Sequence, residues 1–276
     1  MSRVGLALGG GGVRGLAHIL VLELLDELKL RPCIIAGTSI GAVVGSLYAS
    51  GMPGKAIHDL VSRYLQAPNE RLRDKIKKRA ELLRWVGPPA APLGRGGGLT
   101  PDRFLRHLLG AVSTGRFEDL AIPLLVVAAD FWAGEEVVLE SGELLPAIRS
   151  SMAVPGVFAP VVLHGRALVD GGLLNQLPYD HLRGRCDLTI AVDVCSSRNP
   201  EEQVLPTVLD ALLGAFDIMQ SAALTAKIGL GPPEIYVRPR VGNIRILDFS
   251  RAVDVFEQAQ PAIADLREQI GRLGIT

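Results

Sequence analysis

The sequence predicts an α/β fold: a three-layer sandwich with a central, mostly parallel sheet. Two observations carry this. The strand-like runs are almost continuously apolar, as in strands covered on both faces, and they alternate with helix-like stretches along the chain. A third agrees with them: 276 residues at 48% hydrophobic content can bury the core of one compact domain spanning 1–276.

Taken in order, Arg3–Leu8 reads as the first strand, and the run Gly9-Gly10-Gly11-Gly12 as a turn into a helix. That helix is marked by Leu16, Leu20, Leu24 and Leu28 at helical spacing. Ile34–Ala36 is a short, partly β-branched strand, and Ala42–Ala49 is apolar and long enough for a buried helix. Residues 53–99 are read as a lid-like insertion over the active-site edge. Within it, 70–86 carries seven basic and three acidic residues, with Leu72, Ile76 and Leu83 on one helical face and Trp85 near the end. Such a helix suits an anionic bilayer surface, and it equally suits packing of its stripe on the domain. Pro88–Gly98 reads as a connector, leading to a helix start with Thr100 as N-cap and Pro101 in the first turn. Further strands follow at Ile122–Ala129, Glu136–Leu139, Leu188–Val194 and Glu234–Val237, with a short apolar run at Ala167–Val169.

The chemistry gathers at the glycines. Gly37-Thr38-Ser39-Ile40-Gly41 is G-x-S-x-G between a strand and a helix, the context of a nucleophile elbow, where flanking glycines relieve crowding around the serine. The Gly9–Gly15 turn offers backbone amides that favour negative charge. A Walker loop is excluded, because Arg14-Gly15-Leu16 stands where Gly-Lys and a hydroxyl residue are needed. Gly10, Gly12 and Gly15 do fit G-x-G-x-x-G, but the next strand ends in Gly37-Thr38-Ser39 with no carboxylate to bind a ribose. An oxyanion hole is the reading that also uses the serine. For its base, none of His18, His58, His107, His164 and His181 stands in an obvious catalytic loop, though His181 follows Asp170 most closely. Asp170 closes the run Ala167–Val169 and opens Gly171-Gly172, where backbone can approach a partner closely. Asp-Gly is also a common turn dipeptide, and spacing does not choose between the two.

Together these blocks resemble the bacterial patatin-like phospholipases, serine acyl hydrolases that use a Ser–Asp dyad. The resemblance runs through Gly9–Gly15, Ile35–Ala42, Ser151–Pro160 and Leu168–Pro178, in that order. It implies a patatin-like fold, with Ser39 as nucleophile, Asp170 as general base, and Gly10, Gly11 and Gly12 as oxyanion donors. Arg14, Gly37, Gly41, Gly171 and Gly172 would support them. It implies no metal and no cofactor, and a phospholipid, lysophospholipid or other fatty-acyl ester as substrate. Ser150-Ser151 stands where many relatives have Ala-Ser, and the segment from Pro53 to Leu99 follows no shared pattern. A catalytically quiet regulatory or lipid-binding protein would keep the same fold.

Composition narrows the partners. Lysines plus arginines equal aspartates plus glutamates, 29 of each, which gives no case for nucleic acid. Cys33, Cys186 and Cys195 lack metal-ligand spacing and read as thiols of a reducing cytoplasm. With a short apolar start and no span-length apolar run, the expected location is cytoplasmic, with peripheral membrane contact through 70–86 if that helix docks.

Overall fold

The computed structural model describes residues 2–65, 102–110, 114–195, 205–206 and 208–274. Among the described residues, eight strands form one sheet around β1 (Val4–Leu8). Parallel neighbours flank it: β2 (Ile34–Thr38) and then β3 (Leu124–Asp130) on one side, β7 (Leu188–Val192) and then β8 (Ile235–Val237) on the other. The expected strands are present, within a residue or two of their predicted ends.

The far edge is antiparallel, which near-continuous apolar runs do not reveal. A turn through Gly134 (φ 67°) folds β4 (Glu135–Leu139) back onto β3. His164 (φ 50°) and Gly165 (φ 75°) make the tight turn between β5 (Val161–Leu163) and β6 (Arg166–Asp170). β6 in turn pairs antiparallel with the last residues of β3.

Each face of the sheet is covered, completing the sandwich. Leu6, Leu8, Ile35, Leu124 and Val126 point to one face, where α1 (Ala17–Glu27), α2 (Ile40–Ala49), α3 (Gly54–Leu65), α4 (Asp102–Leu109), α5 (Leu144–Ser151) and α7 (Ala252–Arg272) bury their apolar sides. The alternate residues Ala7, Ile34, Ala36, Leu125 and Ala191 face the other way, as strand periodicity requires. Three of these are alanines, so Leu177, Tyr179 and Leu182 can lie close to the sheet, with Leu224 of α6 (Val208–Leu230) beside them.

The expected insertion at 53–99 needs correcting at its start. Gly54–Leu65 is a helix of the main helical layer: Ile57 is fully buried, Gly54 N donates to Asp26, and a Cβ on Gly54 would meet the Glu23 backbone N at 2.6 Å. It therefore packs on the C-terminal half of α1, whereas Ser39 precedes the N-terminus of α2. Residues 66–99, including the basic stretch 70–86, lie outside the described residues, as do Thr100 and Pro101. Among the described residues no helix is long and apolar enough to cross a membrane.

Candidate active site

Strand β3 brings the two expected reacting residues together. β4 occupies one edge of β3 along 126–130, so β2 and β6 share the other edge end to end. Thr38 of β2 is paired with Val127, and Asp170 of β6 with Ala128, the next residue. Ser39 and Asp170, far apart in sequence, thus meet at the carboxyl end of the parallel strands, where α/β sheets place their sites.

Ser39 is held in a backbone conformation that side chains seldom adopt, φ 55° and ψ −122°. The surroundings enforce it. A Cβ on Gly37 would sit 2.7 Å from the Ala42 backbone nitrogen, and one on Gly41 would sit 2.1 Å from the Leu8 carbonyl oxygen. Both glycines therefore allow close approach of backbone. Ser39 N donates to Ser151 Oγ at 2.8 Å, and that hydroxyl donates to Val127 O at 2.5 Å. Ser151 thus ties the elbow to β3.

Asp170 is only 1% exposed. Its Oδ1 accepts from Gly172 N at 2.7 Å, and the Ser39 hydroxyl is its side-chain hydrogen-bond partner. Burial raises its pKa from 3.8 to about 6, against the lowering effect of these two hydrogen bonds. A carboxylate in that range is a far better acceptor for a hydroxyl proton than an ordinary aspartate. Gly171 is needed by contact, since a Cβ there would lie 2.2 Å from the Val127 carbonyl oxygen.

The glycine turn departs from expectation at one position. Gly10 N donates to Gln176 O at 3.0 Å, so its amide is already committed to the protein and is not free for an oxyanion. Gly9 N and Val13 N are committed likewise, to Val192 O and Ile246 O. Among the described residues the amides of Gly11 and Gly12 have no such backbone acceptor. Gln176 grips Gly10 twice, because its Nε2 also donates to Gly10 O at 2.5 Å.

Arg14 is buried and fixes this turn, its Nε donating to Gly11 O at 3.2 Å. Its guanidinium makes a two-pronged pair with Asp217 of α6, at 2.7 and 3.2 Å. Sequence reasoning missed Asp217; its signal was a lone acid inside the apolar run 211–219. Removing one partner of a buried ion pair strands the other's charge. Asp217→Asn is therefore expected to destabilise the fold by about 3–5 kcal/mol, read as a lowered urea midpoint, and to reduce activity by loosening the glycine turn.

The histidines lie elsewhere or are otherwise engaged. His18 is fully buried, with Nε2 at 2.8 Å from Gly9 O; desolvation lowers its pKa to about 4, keeping it neutral and the donor in that contact. His181 Nε2 is 2.5 Å from Glu136 Oε1, and that hydrogen bond raises its pKa. His58 pairs with Glu23 and stacks on Phe256, and His164 sits in the β5–β6 turn. The side chain of His107 lies outside the described residues. Among the described residues no cluster of metal-ligating side chains forms.

The family model described as patatin-like phospholipase matches residues 6–183, which include the glycine turn, the serine elbow and the Asp-Gly-Gly turn. The chain belongs to the patatin-like phospholipase family. This patatin-like chain is 38% identical over 208 residues, 75% of its length, to an uncharacterized NTE family protein of Mycobacterium tuberculosis (strain ATCC 25618 / H37Rv), of which it spans 53%. It is 27% identical over 92% of its length to Lysophospholipase NTE1 of Saccharomyces cerevisiae, of which it spans 16%. The chain thus spans about half or less of these relatives. Among solved structures, VipD from Legionella pneumophila aligns with a TM-score of 0.50 and 15% identity, covering 96% of this chain and 67% of VipD; this likeness is one of fold.

Proposed function

We propose that the protein is a serine acyl hydrolase that cleaves fatty-acyl esters of phospholipids or lysophospholipids. The observation that carries the reading is the buried Ser39–Asp170 contact, in which desolvation lifts the carboxylate toward the pKa of a working base. Ionised Asp170 takes the Ser39 proton as Oγ attacks the ester carbonyl, and the amides of Gly11 and Gly12 hold the oxyanion. Asp170 then gives its proton to the departing alcohol, leaving an acyl-enzyme on Ser39. A water enters, loses a proton to Asp170 and attacks the acyl carbon. The fatty acid leaves, and the proton on Asp170 returns to Ser39. The yeast relative's printed name, a lysophospholipase, supports single-chain phospholipids as the substrate class to try first.

The test traps the intermediate. Brief reaction with a lysophospholipid or with p-nitrophenyl esters of increasing chain length should add one acyl mass, which peptide mapping assigns to Ser39. Turnover without any adduct on Ser39, or an adduct on another residue, would reject the mechanism. A folded protein that neither turns over esters nor reacts with a fluorophosphonate would be a catalytically quiet lipid-binding relative.

A further inference from the structure

Helix α6 wears its apolar side outward. Among its described side chains, every exposed position is apolar, alanine or glycine except Thr225, whose hydroxyl already donates to Ser221 O at 2.8 Å. Leu212, Ile218 and Met219 are 65%, 53% and 70% exposed. All its charged residues turn to partners on the body of the protein: Asp210 to Arg245, Asp217 to Arg14 and Lys227 to Asp180. A surface helix in water shows the opposite arrangement, with polar groups outside and apolar groups inside. Exposed apolar side chains gathered on one helix face mark a candidate interaction site.

That surface runs into the candidate active site. The turn at Gly171–Leu173 packs on α6, and Gln220 Nε2 of α6 lies 2.2 Å from where a Cβ on Gly172 would stand. Leu173 and Leu174 are 42% and 47% exposed and extend the apolar surface to the turn that begins at Asp170.

We propose that the outer face of α6, with Leu173 and Leu174, is a bilayer-docking face that seats the Ser39–Asp170 site at the lipid surface. The proposal rests on the hydrolase reading and says where that enzyme meets its substrate. Two features select lipid over a protein partner. Protein interfaces use hydrogen bonds and charge to fix register, and the described side chains of this face offer no charge and, apart from the Thr225 hydroxyl, no hydrogen-bonding group. A protein seated on Leu173 and Leu174 would also cover the turn that carries Asp170, whereas a bilayer holds the acyl chains such a site would cleave.

The test uses the full chain as Ser39→Ala, so that binding is measured without turnover. It should co-sediment with vesicles of neutral phosphatidylcholine, and high salt should weaken binding little, because no charge on this face takes part. Leu212→Glu and Met219→Glu should each weaken binding by at least about tenfold. In the otherwise wild-type chain they should leave the melting temperature and the hydrolysis of a soluble short-chain ester unchanged. Unaltered vesicle binding by both variants would overturn the proposal, as would binding that requires anionic lipid and vanishes in salt. A solution dimer that either substitution splits, with no affinity for vesicles, would assign the face to a second copy instead. Loss of docking and loss of hydrolysis remain separable: vesicle binding by a protein that hydrolyses no ester would refute the hydrolase reading alone.

Discussion

Ser39→Ala is expected to lower ester hydrolysis by on the order of 10⁴- to 10⁶-fold, the scale on which removing a serine nucleophile acts, and to abolish fluorophosphonate labelling. The fold should survive. Alanine keeps the Cβ at φ 55°, so the strain of the elbow is unchanged, and the backbone bond from residue 39 to Ser151 Oγ remains. Asp170 loses one hydrogen bond that favours its ionised form, so its pKa should rise further in the variant. Full activity in a folded Ser39→Ala protein would remove the serine from the mechanism.

Asp170→Asn should cost about 10²- to 10⁴-fold in rate, since it keeps the shape of the side chain but cannot accept the proton. The wild-type pH profile carries the same information. A base must be ionised to act, so kcat/KM should rise with pH through a midpoint at about 6, the raised pKa of Asp170, and level off above it. Residual activity of Asp170→Asn should lack that limb. His181→Ala should stay within about threefold of wild type, because its imidazole is spent on Glu136 and only a group in contact with the nucleophile contributes at the scale of general-base catalysis. A His181→Ala protein as inactive as Ser39→Ala would replace the dyad with a triad.

The sequence made the local parts of this site legible. Gly37, Ser39 and Gly41 announce a strained turn, and Gly9–Gly12 announce a tight one, because both constraints act between residues a few positions apart. The central strands were legible because burial on both faces leaves them almost continuously apolar. What escaped depends on contacts between distant segments. No local pattern says that β6 runs antiparallel to β3 in line with β2, yet that pairing brings Asp170 to Ser39. Gln176 lay within a recognised block, but its double grip on Gly10, which takes that amide out of the expected oxyanion set, exists only in three dimensions. Ser151 also lay within a recognised block, but its hold on Ser39, like the pairing of Asp217 with Arg14, acts on a segment remote in the chain and was hidden for the same reason. The lid-like reading of 53–99 failed at its beginning because an amphipathic helix has the same pattern whether it covers a site or, as with Ile57 on α1, covers the core.

Under the proposed mechanism, the shared edge of β3 also sets when the chain would become reactive during its synthesis. A nascent chain that has emerged only as far as β3 holds the serine elbow but no carboxylate partner for it, since Asp170 ends the antiparallel strand that arrives later. On the proposed mechanism Ser39 would stay unactivated until β6 pairs with β3 in line with β2, and such long-range pairings are the slow contacts of folding. Recovery of ester hydrolysis after denaturation therefore reports the completion of the sheet, and should trail the return of helical signal from α1 and α2.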